Sequence, residues 1–571
     1  MKPAAQKKAE ALKTRIAAEH FLESLAQHGV DYCFTNPGTD FPPIVEAFLR
    51  ARRGNHKVPE PVMVPHENLA VAMAHGVYLM TGHPQAVMVH VNVGTANTVN
   101  NIANLARDRA PVIVAAGRTP ITEKGQFGSR TRPIHWAQEM FDQAGMVREL
   151  VKWDYELRVP EQIGDVVARA YEMCMTSPRG PVYLVLPREP LSAPLPHYEP
   201  EKLRALPAPP SPDPQAIARL AEWLAEAERP VILNAAAGDP KAVEILGRLA
   251  NDYAIPVVAH FPRVVALPAS HPMHFGYDSA AMLAEADLAV VIECDVPYHP
   301  HLTEPAPNCR FVHIGEDTVY QRYPMRSFPT DLAITAHATG ALEALEAALA
   351  RHKPAMQPRI DARRGPLAER ARSRRENARK LAPAADRITP EFLSRSIGEV
   401  LGEDAVIFNE YPLRLEHCPR EKPGTFFAAS PAGGLGWGLG AALGAKLAAP
   451  DKLVVATLGD GVYLFTNPTV AHWVGEKYRL PVLTIIFNNQ RYGAVRNATL
   501  SMFKEGLSGE DDGRFLADLD PGAPYDELMR AQGGYGERVE KPQDLAGALQ
   551  RARDAVMNEK KQALLNVICP Y

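Results

Sequence analysis

The sequence predicts an α/β protein built from three doubly wound, parallel-sheet domains, and three observations carry that expectation. The chain has 571 residues, and at roughly 150 residues per domain that length suggests three or four domains. Part of its proline complement, 52 residues in all, gathers in two stretches that cut the chain into three blocks. Within every block, short apolar runs alternate with amphipathic helical stretches, the pattern of strands and covering helices.

In the first block HFLESLAQHGV reads as a helix, DYCFTNPG as strand and turn, PQAVMVHVN as a strand, ANTVNNIANLARD as a helix and APVIVAAG as a strand. The second block repeats the form with RPVILNAA, IPVVAHF, LAVVIEC and CRFVHIG, and the third with DAVIFNE, KLVVATLGDG, PVLTIIFNN and ALLNVIC. Near-continuous Val/Ile/Leu runs flanked by helices mean parallel sheets covered on both faces. No short-period repeat is present, but blocks one and three are candidates for kinship at the level of fold. Between the first two blocks, repeated proline from Pro187 to Pro214 removes amide donors and forbids a long helix or central strand. The second cut, near Pro354 to Pro383, is dense in arginine: Arg363, Arg364, Arg370, Arg372, Arg374 and Arg375 make it either a solvated linker helix or an anion-binding patch. The domains are therefore placed at 1–190, 191–353 and 385–571, with a basic linker at 354–384.

Composition excludes several classes. Apolar residues are 46% and charged residues 22%, ordinary values for a globular chain. The net charge of -4 offers no global positive field for nucleic acid or anionic lipid, so small molecules become the default partners. No apolar run approaches the roughly 20 residues of a membrane helix. Six cysteines without a CxxC pair argue against a disulfide framework or a thiolate metal site and fit a reducing cytoplasm. The opening MKPAAQKKAEALKTR is basic but lacks an apolar stretch behind it, and reads as a frayed tail rather than a secretory signal.

In open parallel sheets ligands bind beyond the carboxyl ends of strands. The strongest such place is in block three, where KLVVATL ends in Gly459-Asp460-Gly461 and, one helix later, VLTIIF ends in Asn488-Asn489. Glycines let the backbone approach a phosphate, and Asp and Asn oxygens are hard ligands suited to Mg2+ bound partly through substrate phosphates. In block one, VMVPHE delivers Glu67 at a strand end just before the apolar stretch NLAVAMAHGVYLMTG. A buried carboxylate there is either satisfied structurally or put to chemical use, and the helix macrodipole alone favours an acid at that position. The stretch Gly436-Trp437-Gly438-Leu439-Gly440-Ala441 fits G-x-G-x-x-A, but no strand leads into it with an acid about 20 positions on, so a dinucleotide site is rejected.

The pairing of GDG with NN, with Asn489 lying 29 residues beyond Asp460, resembles the thiamine diphosphate signature of the acetolactate synthase and 2-oxo acid decarboxylase superfamily. That resemblance implies pyrimidine-binding, middle and diphosphate-binding domains in chain order. It implies Mg2+ held by Asp460, Asn489 and the main-chain carbonyl of Arg491, with Gly459, Gly461, Tyr492 and Gly493 around the diphosphate. It implies that Glu67 hydrogen-bonds N1′ of the cofactor's aminopyrimidine, that Gly433 offers its carbonyl to the 4′-amino group, and that Leu435 props the bent cofactor. Two further segments resemble benzoylformate decarboxylase in particular. Asn36-Pro37-Gly38-Thr39 places Thr39 as a substrate-contacting residue, and VHVNVGTAN places His90 as the catalytic histidine, followed by Asn97. Histidine titrates near neutrality and can shuttle protons, although a histidine such as His90, taken alone, is more often a packed core residue. In block two, His299 is either a surface loop residue or one that reaches the site.

The resemblance thus implies C–C bond cleavage or formation on 2-oxo acids, releasing an aldehyde or an acyloin, in a homodimer or homotetramer. Pyruvate oxidase-like relatives carry a flavin in the middle domain, so FAD is the alternative cofactor. A non-catalytic relative is the third reading, against which intact Glu67, Asp460 and Asn489 weigh.

Overall fold

A computed structural model describes residues 14–196, 202–381, 384, 386–510 and 515–569. Residues 1–13 of the basic tail, 197–201 of the first proline-rich stretch and 382–383 of the second lie outside the described residues. By internal contacts the chain divides into two compact units: one drawn from Met1–Pro207, Ala429–Asp451 and Val462–Val482, the other from Ala208–Ala428, Lys452–Gly461 and Leu483–Tyr571.

The first unit holds a six-stranded sheet: β1 (Tyr32–Asn36), β2 (Glu60–Met63), β3 (Gln85–Val89), β4 (Val112–Arg118), β5 (Asp154–Glu156) and β6 (Val182–Pro187). The strand order is β2-β1-β3-β4-β6-β5, with every neighbouring pair parallel. Inner strands such as β3 and β6 are buried along their whole length because helices cover both faces. One face packs Phe21, Leu22 and Leu25 of helix Ala17–Gln27 and Val166, Val167 and Ala170 of helix Ile163–Met175 onto Met88, Ile113 and Leu184. The other carries helices Glu67–Thr81 and Val91–Arg107. The chain runs from β1 to β2 on one side and from β3 to β4 on the other, so the direction of winding reverses between β1 and β3.

Two helices of the third sequence block, Gly438–Ala448 and Pro468–Lys477, belong to this first unit. The Gly438 helix lies along the Glu67 helix at very close range. A Cβ on Gly76 would fall 1.9 Å from the Ala441 carbonyl oxygen, and one on Gly444 would fall 2.0 Å from that of Met73. Small residues let the two backbones touch, and the buried Trp437 indole closes one end by donating to His75 Nδ1 at 3.0 Å.

The second unit holds two sheets. The middle one comprises β7 (Pro230–Asn234), β8 (Val257–Val258), β9 (Leu288–Ile292), β10 (Arg310–Gly315) and β11 (Leu332–Thr335), in the order β11-β10-β9-β7-β8. The last comprises β12 (Val406–Glu410), β13 (Phe426–Ala428), β14 (Val454–Gly459), β15 (Leu483–Asn488), β16 (Tyr535–Val539) and β17 (Ala563–Ile568). Its order, β13-β12-β14-β15-β17-β16, repeats that of the first sheet strand for strand, so blocks one and three share one topology. Helix starts in this unit follow local chemistry. Asp213 and Asp239 cap helices that begin with Pro214 and Pro240, accepting from backbone amides at 3.0–3.1 Å, where proline's missing donor costs nothing.

The basic stretch forms a 27-residue helix, Lys353–Arg379, whose Met356 and Ile360 enter the middle core. The six arginines of the cluster have partners: Arg363 donates to the Tyr253 and Ala227 carbonyls, Arg364 to that of Asp252 and Arg375 to that of His271, while Arg370, Arg372 and Arg374 pair with Glu285, Glu369 and Glu416. These partners turn the anion-binding alternative into a packed connecting helix. Two other expectations need correction. The strand read as PQAVMVHVN stops at Val89, because the His90 carbonyl already accepts from Gly94 N at 2.7 Å and the following residues are helical. Two helices, Asp460–Phe465 and Pro468–Lys477, not one, separate β14 from β15.

The glycines at the close helix contact yield a test. Gly to Ala in a helix interior gains about 1 kcal/mol in intrinsic propensity. At Gly444 the new methyl meets backbone that no rotamer change can move, and overpacking of this kind costs about 1–3 kcal/mol. Gly340, in helix Ala338–Leu349, has nothing within 4 Å of its Cβ position. Gly444→Ala should therefore lower the thermal unfolding midpoint and Gly340→Ala leave it unchanged or higher, in scans at one fixed rate.

Candidate active site

The predicted residues fall into two groups, one in each unit, and both gather at carboxyl ends of strands where the winding reverses. In the first unit that crevice lies between β1 and β3. β1 ends at Asn36 and turns through Pro37, Gly38 and Thr39 into Asp40. Glu67 is the first residue of its helix and only 7% exposed. Both of its oxygens are taken: Asn36 Nδ2 donates to Oε1 at 2.9 Å and Asn97 Nδ2 to Oε2 at 3.0 Å. The buried carboxylate is thus satisfied by neutral amides, which orient it without supplying a counter-charge.

His90 sits between β3 and helix Val91–Arg107. Its Nδ1 lies 2.5 Å from Asp40 Oδ1, and the Gln138 amide nitrogen lies 3.4 Å from its Nε2. The Asp40 hydrogen bond, outweighing burial, holds the imidazole above its ordinary titration range. Room for this ring depends on Gly38, since a Cβ there would fall 2.1 Å from Nδ1. Val91, directly after, has φ +32°, a conformation that β-branched residues rarely adopt. Thr39 is half-buried, with its carbonyl accepting from Arg188 at 3.2 Å.

The glycine segment of the third block also belongs to the first unit. Gly433 and Gly436 have φ of +69° and +86°, which glycine adopts freely. Asn104 pairs with both the N–H and the carbonyl of Gly434 at 3.0 and 2.7 Å, and Asn100 donates to the Leu435 carbonyl at 2.8 Å. Gly433 is exposed and Leu435 half-buried. The segment is held by side-chain amides of helix Val91–Arg107.

In the second unit the corresponding reversal lies between β12 and β14. Gly459 ends β14 and Asp460 follows, 2% exposed. Burial pushes this carboxyl up to about 6, against the opposing pull of the backbone N–H groups of Gly461, Gln490 and Arg491 nearby. One oxygen, Oδ2, has no hydrogen-bond partner among the described residues. Asn488 is tied into the sheet by donating to Asn566 at 2.8 Å, whereas Asn489 caps the next turn, its Oδ1 accepting from Arg491 N at 3.1 Å. The Arg491 carbonyl accepts from Gly493 N at 3.0 Å, and the Tyr492 ring lies over Gly461, 2.7 Å from where a Cβ would be. Among the described residues no cluster of three or more His, Cys, Asp or Glu could hold a metal. A bare carboxylate oxygen beside amide and main-chain oxygens nevertheless fits a hard ion that completes its shell with phosphate and water.

On the middle sheet, His299 is an exposed loop residue edge-on to Phe261, ring centres 5.4 Å apart. The structure joins to the expected residues Asp40, Gln138 and the two asparagines on Glu67. Asn36 and Asn97 were visible as motif letters, but their role was not. Asp40 had one signal, an acid just past a strand end at the edge where His90 lies.

Three family models match the chain: the N-terminal TPP binding domain of thiamine pyrophosphate enzymes over residues 15–146, their central domain over 217–345 and their C-terminal TPP binding domain over 413–567. The chain is 26% identical to a benzoylformate decarboxylase of Pseudomonas aeruginosa, over 93% of this chain and 95% of that one. It is 25% identical to the large subunit of acetolactate synthase isozyme 3 of Escherichia coli, over 95% and 93%. Its fold matches the solved structure of a thiamine diphosphate-dependent 4-hydroxybenzoylformate decarboxylase from Rhodococcus jostii RHA1, with a TM-score of 0.76 at 23% identity over 98% and 99% of the two chains. With all three sheets of the expected kind, and with models of all three domains matched in order, the chain belongs to the thiamine pyrophosphate-dependent enzyme superfamily.

Proposed function

We propose that the protein is a thiamine diphosphate- and Mg2+-dependent decarboxylase or carboligase acting on 2-oxo acids, with release of an aldehyde or its transfer to a second carbonyl. The observation that carries this reading is the buried, unpartnered Oδ2 of Asp460. A charge at that depth is costly alone and is stabilised by a bound cation. Asp460, Asn489 and the Arg491 carbonyl would hold Mg2+, with Gly459, Gly461, Tyr492 and Gly493 around the diphosphate. When bound, the cofactor supplies a carbon nucleophile for the 2-oxo carbonyl and accommodates the electrons released when the C–C bond breaks. Glu67, fixed by its two amides, would present a carboxylate to N1′ of the aminopyrimidine, while Gly433 would offer its carbonyl to the 4′-amino group and Leu435 would prop the bent cofactor. Thr39 would contact the substrate, and His90 would move a proton to or from its oxygen or carbon.

The division into a pyrimidine-binding domain (1–190), a middle domain (191–353), a basic linker (354–384) and a diphosphate-binding domain (385–571) is supported by the three matched models, each of which falls inside one domain. A homodimer or homotetramer is part of this reading, and supporting it are Phe127, Trp136 and Phe141, apolar side chains exposed on the first unit. A cytoplasmic location agrees with six unpaired cysteines, five of them buried. Among the described residues no helix is long and apolar enough to cross a membrane.

Aliphatic and aromatic 2-oxo acids, supplied with Mg2+ and thiamine diphosphate and followed by mass analysis of products, test the reaction itself. Mg2+ and cofactor together should raise the melting temperature, since a ligand at 100 times its Kd adds about 2.7 kcal/mol. In Asp460→Ala this gain should vanish, and its persistence would show the metal site to be misplaced.

Glu67→Gln should keep cofactor binding yet slow hydrogen–deuterium exchange at C2 of the bound cofactor, read by NMR after quenching. The new amide also sets a donor against one of the two asparagine donors, so the variant should lose up to about 1–3 kcal/mol unless that asparagine turns over. Exchange at the wild-type rate would remove Glu67 from the activating role.

A further inference from the structure

Asp40 is 3% exposed, and everything around it serves one contact. Oδ1 meets His90 Nδ1 at 2.5 Å, while Oδ2 accepts at most weakly from Val91 N, 3.4 Å away. The carboxylate is pressed against Gly117, where a Cβ would fall 1.6 Å from Oδ2, just as the imidazole is pressed against Gly38. Two glycines from different strand ends thus form a slot that fits this acid and this ring together.

We propose that Asp40 is the positioning residue of the site, clamping His90 through Nδ1–H so that Nε2 alone exchanges a proton with the substrate, an inference that rests on the proton-transfer reading of His90. A carboxylate can only accept, so its partner nitrogen must carry hydrogen in both charge states of the ring. Nε2 then faces the Gln138 amide, and the side chain keeps 19% exposure for contact with a ligand. The charged groups facing the ring are Asp40 from the β1 turn and Glu67 from its helix, and both favour the imidazolium. The segment after helix Ile134–Ala137 contributes only neutral Gln138. An acid that fixes the tautomer and supports the charge makes a histidine a better proton carrier near neutral pH.

The test compares Asp40→Asn, Gly117→Ala and His90→Ala. Gly117→Ala keeps both partners but drives a methyl into the carboxylate, so it covers the case in which Asp40→Asn folds poorly. Diethyl pyrocarbonate attacks an imidazole only in its neutral form, and peptide mass mapping reads His90 separately in protein free of cofactor. Wild-type His90 should reach half-maximal reactivity above pH 6.5, the ordinary histidine value, and the first two variants should shift that point down by about one pH unit, the tenfold change that a lost charge partner produces. Turnover on the best 2-oxo acid should fall about 10²-fold with KM little changed, the lower end of what a proton-transfer group contributes. The cofactor-dependent rise in melting temperature should survive. Wild-type reactivity and turnover in Asp40→Asn and Gly117→Ala, beside a crippled His90→Ala, would overturn the positioning role alone. Unimpaired turnover in His90→Ala would overturn the proton-transfer reading and the role of Asp40 with it.

Discussion

Parallel strand pairing is the constraint from which the rest of this protein follows. Two parallel neighbours cannot be joined by a tight turn, so each strand must hand the chain to a crossover, usually a helix that returns along one face. Every strand in the three sheets therefore delivers its last residue to the same edge as its neighbours, and the next helix opens there. Asn36, Asp40, Glu67 and His90 share one such edge, and Asp460 and Asn489 another, although long stretches of sequence separate them. Reversal of winding next to β1, and again next to β12, spreads adjacent loops apart and leaves a crevice that side chains can line. The buried Val, Ile and Leu of the strands contribute no chemistry, but they make that edge rigid.

Three buried carboxylates illustrate how differently one functional group is treated. Glu67 is gripped by two neutral amides, which set its direction. Asp40 is given to an imidazole, so its charge supports another group's proton. Asp460 keeps one oxygen bare among the described residues, and burial, opposed only by nearby backbone N–H groups, raises its titration point. In the proposed reading, orientation, proton support and cation binding are thus separated by partner chemistry.

Much of this was legible beforehand, for a physical reason. Strands buried on both faces are continuous apolar runs, and the polar residues ending them stand out, which is how Gly459-Asp460-Gly461, Asn488-Asn489 and Glu67 could be found. Edge strands were not legible: β5 is half-buried throughout and β16 nearly so, and neither carries an apolar run. Nor was the end of β3, because an apolar stretch running into a helix with valines in its first turn shows no break in pattern. Asp40 escaped because its partner lies 50 residues away and no local periodicity encodes that contact. The grouping of helix Gly438–Ala448 with the first unit escaped likewise, since its small residues announce a close neighbour without saying which.

The slot around the Asp40–His90 pair bears on the order in which such a pair can arise. A side chain at position 38 would meet the His90 ring, and one at position 117 would meet the Asp40 carboxylate. Both glycines must be in place before the aspartate has anything to hold. Positions 38, 40, 90 and 117 are consequently coupled, so that a change at either glycine acts on the pair without replacing one of its members.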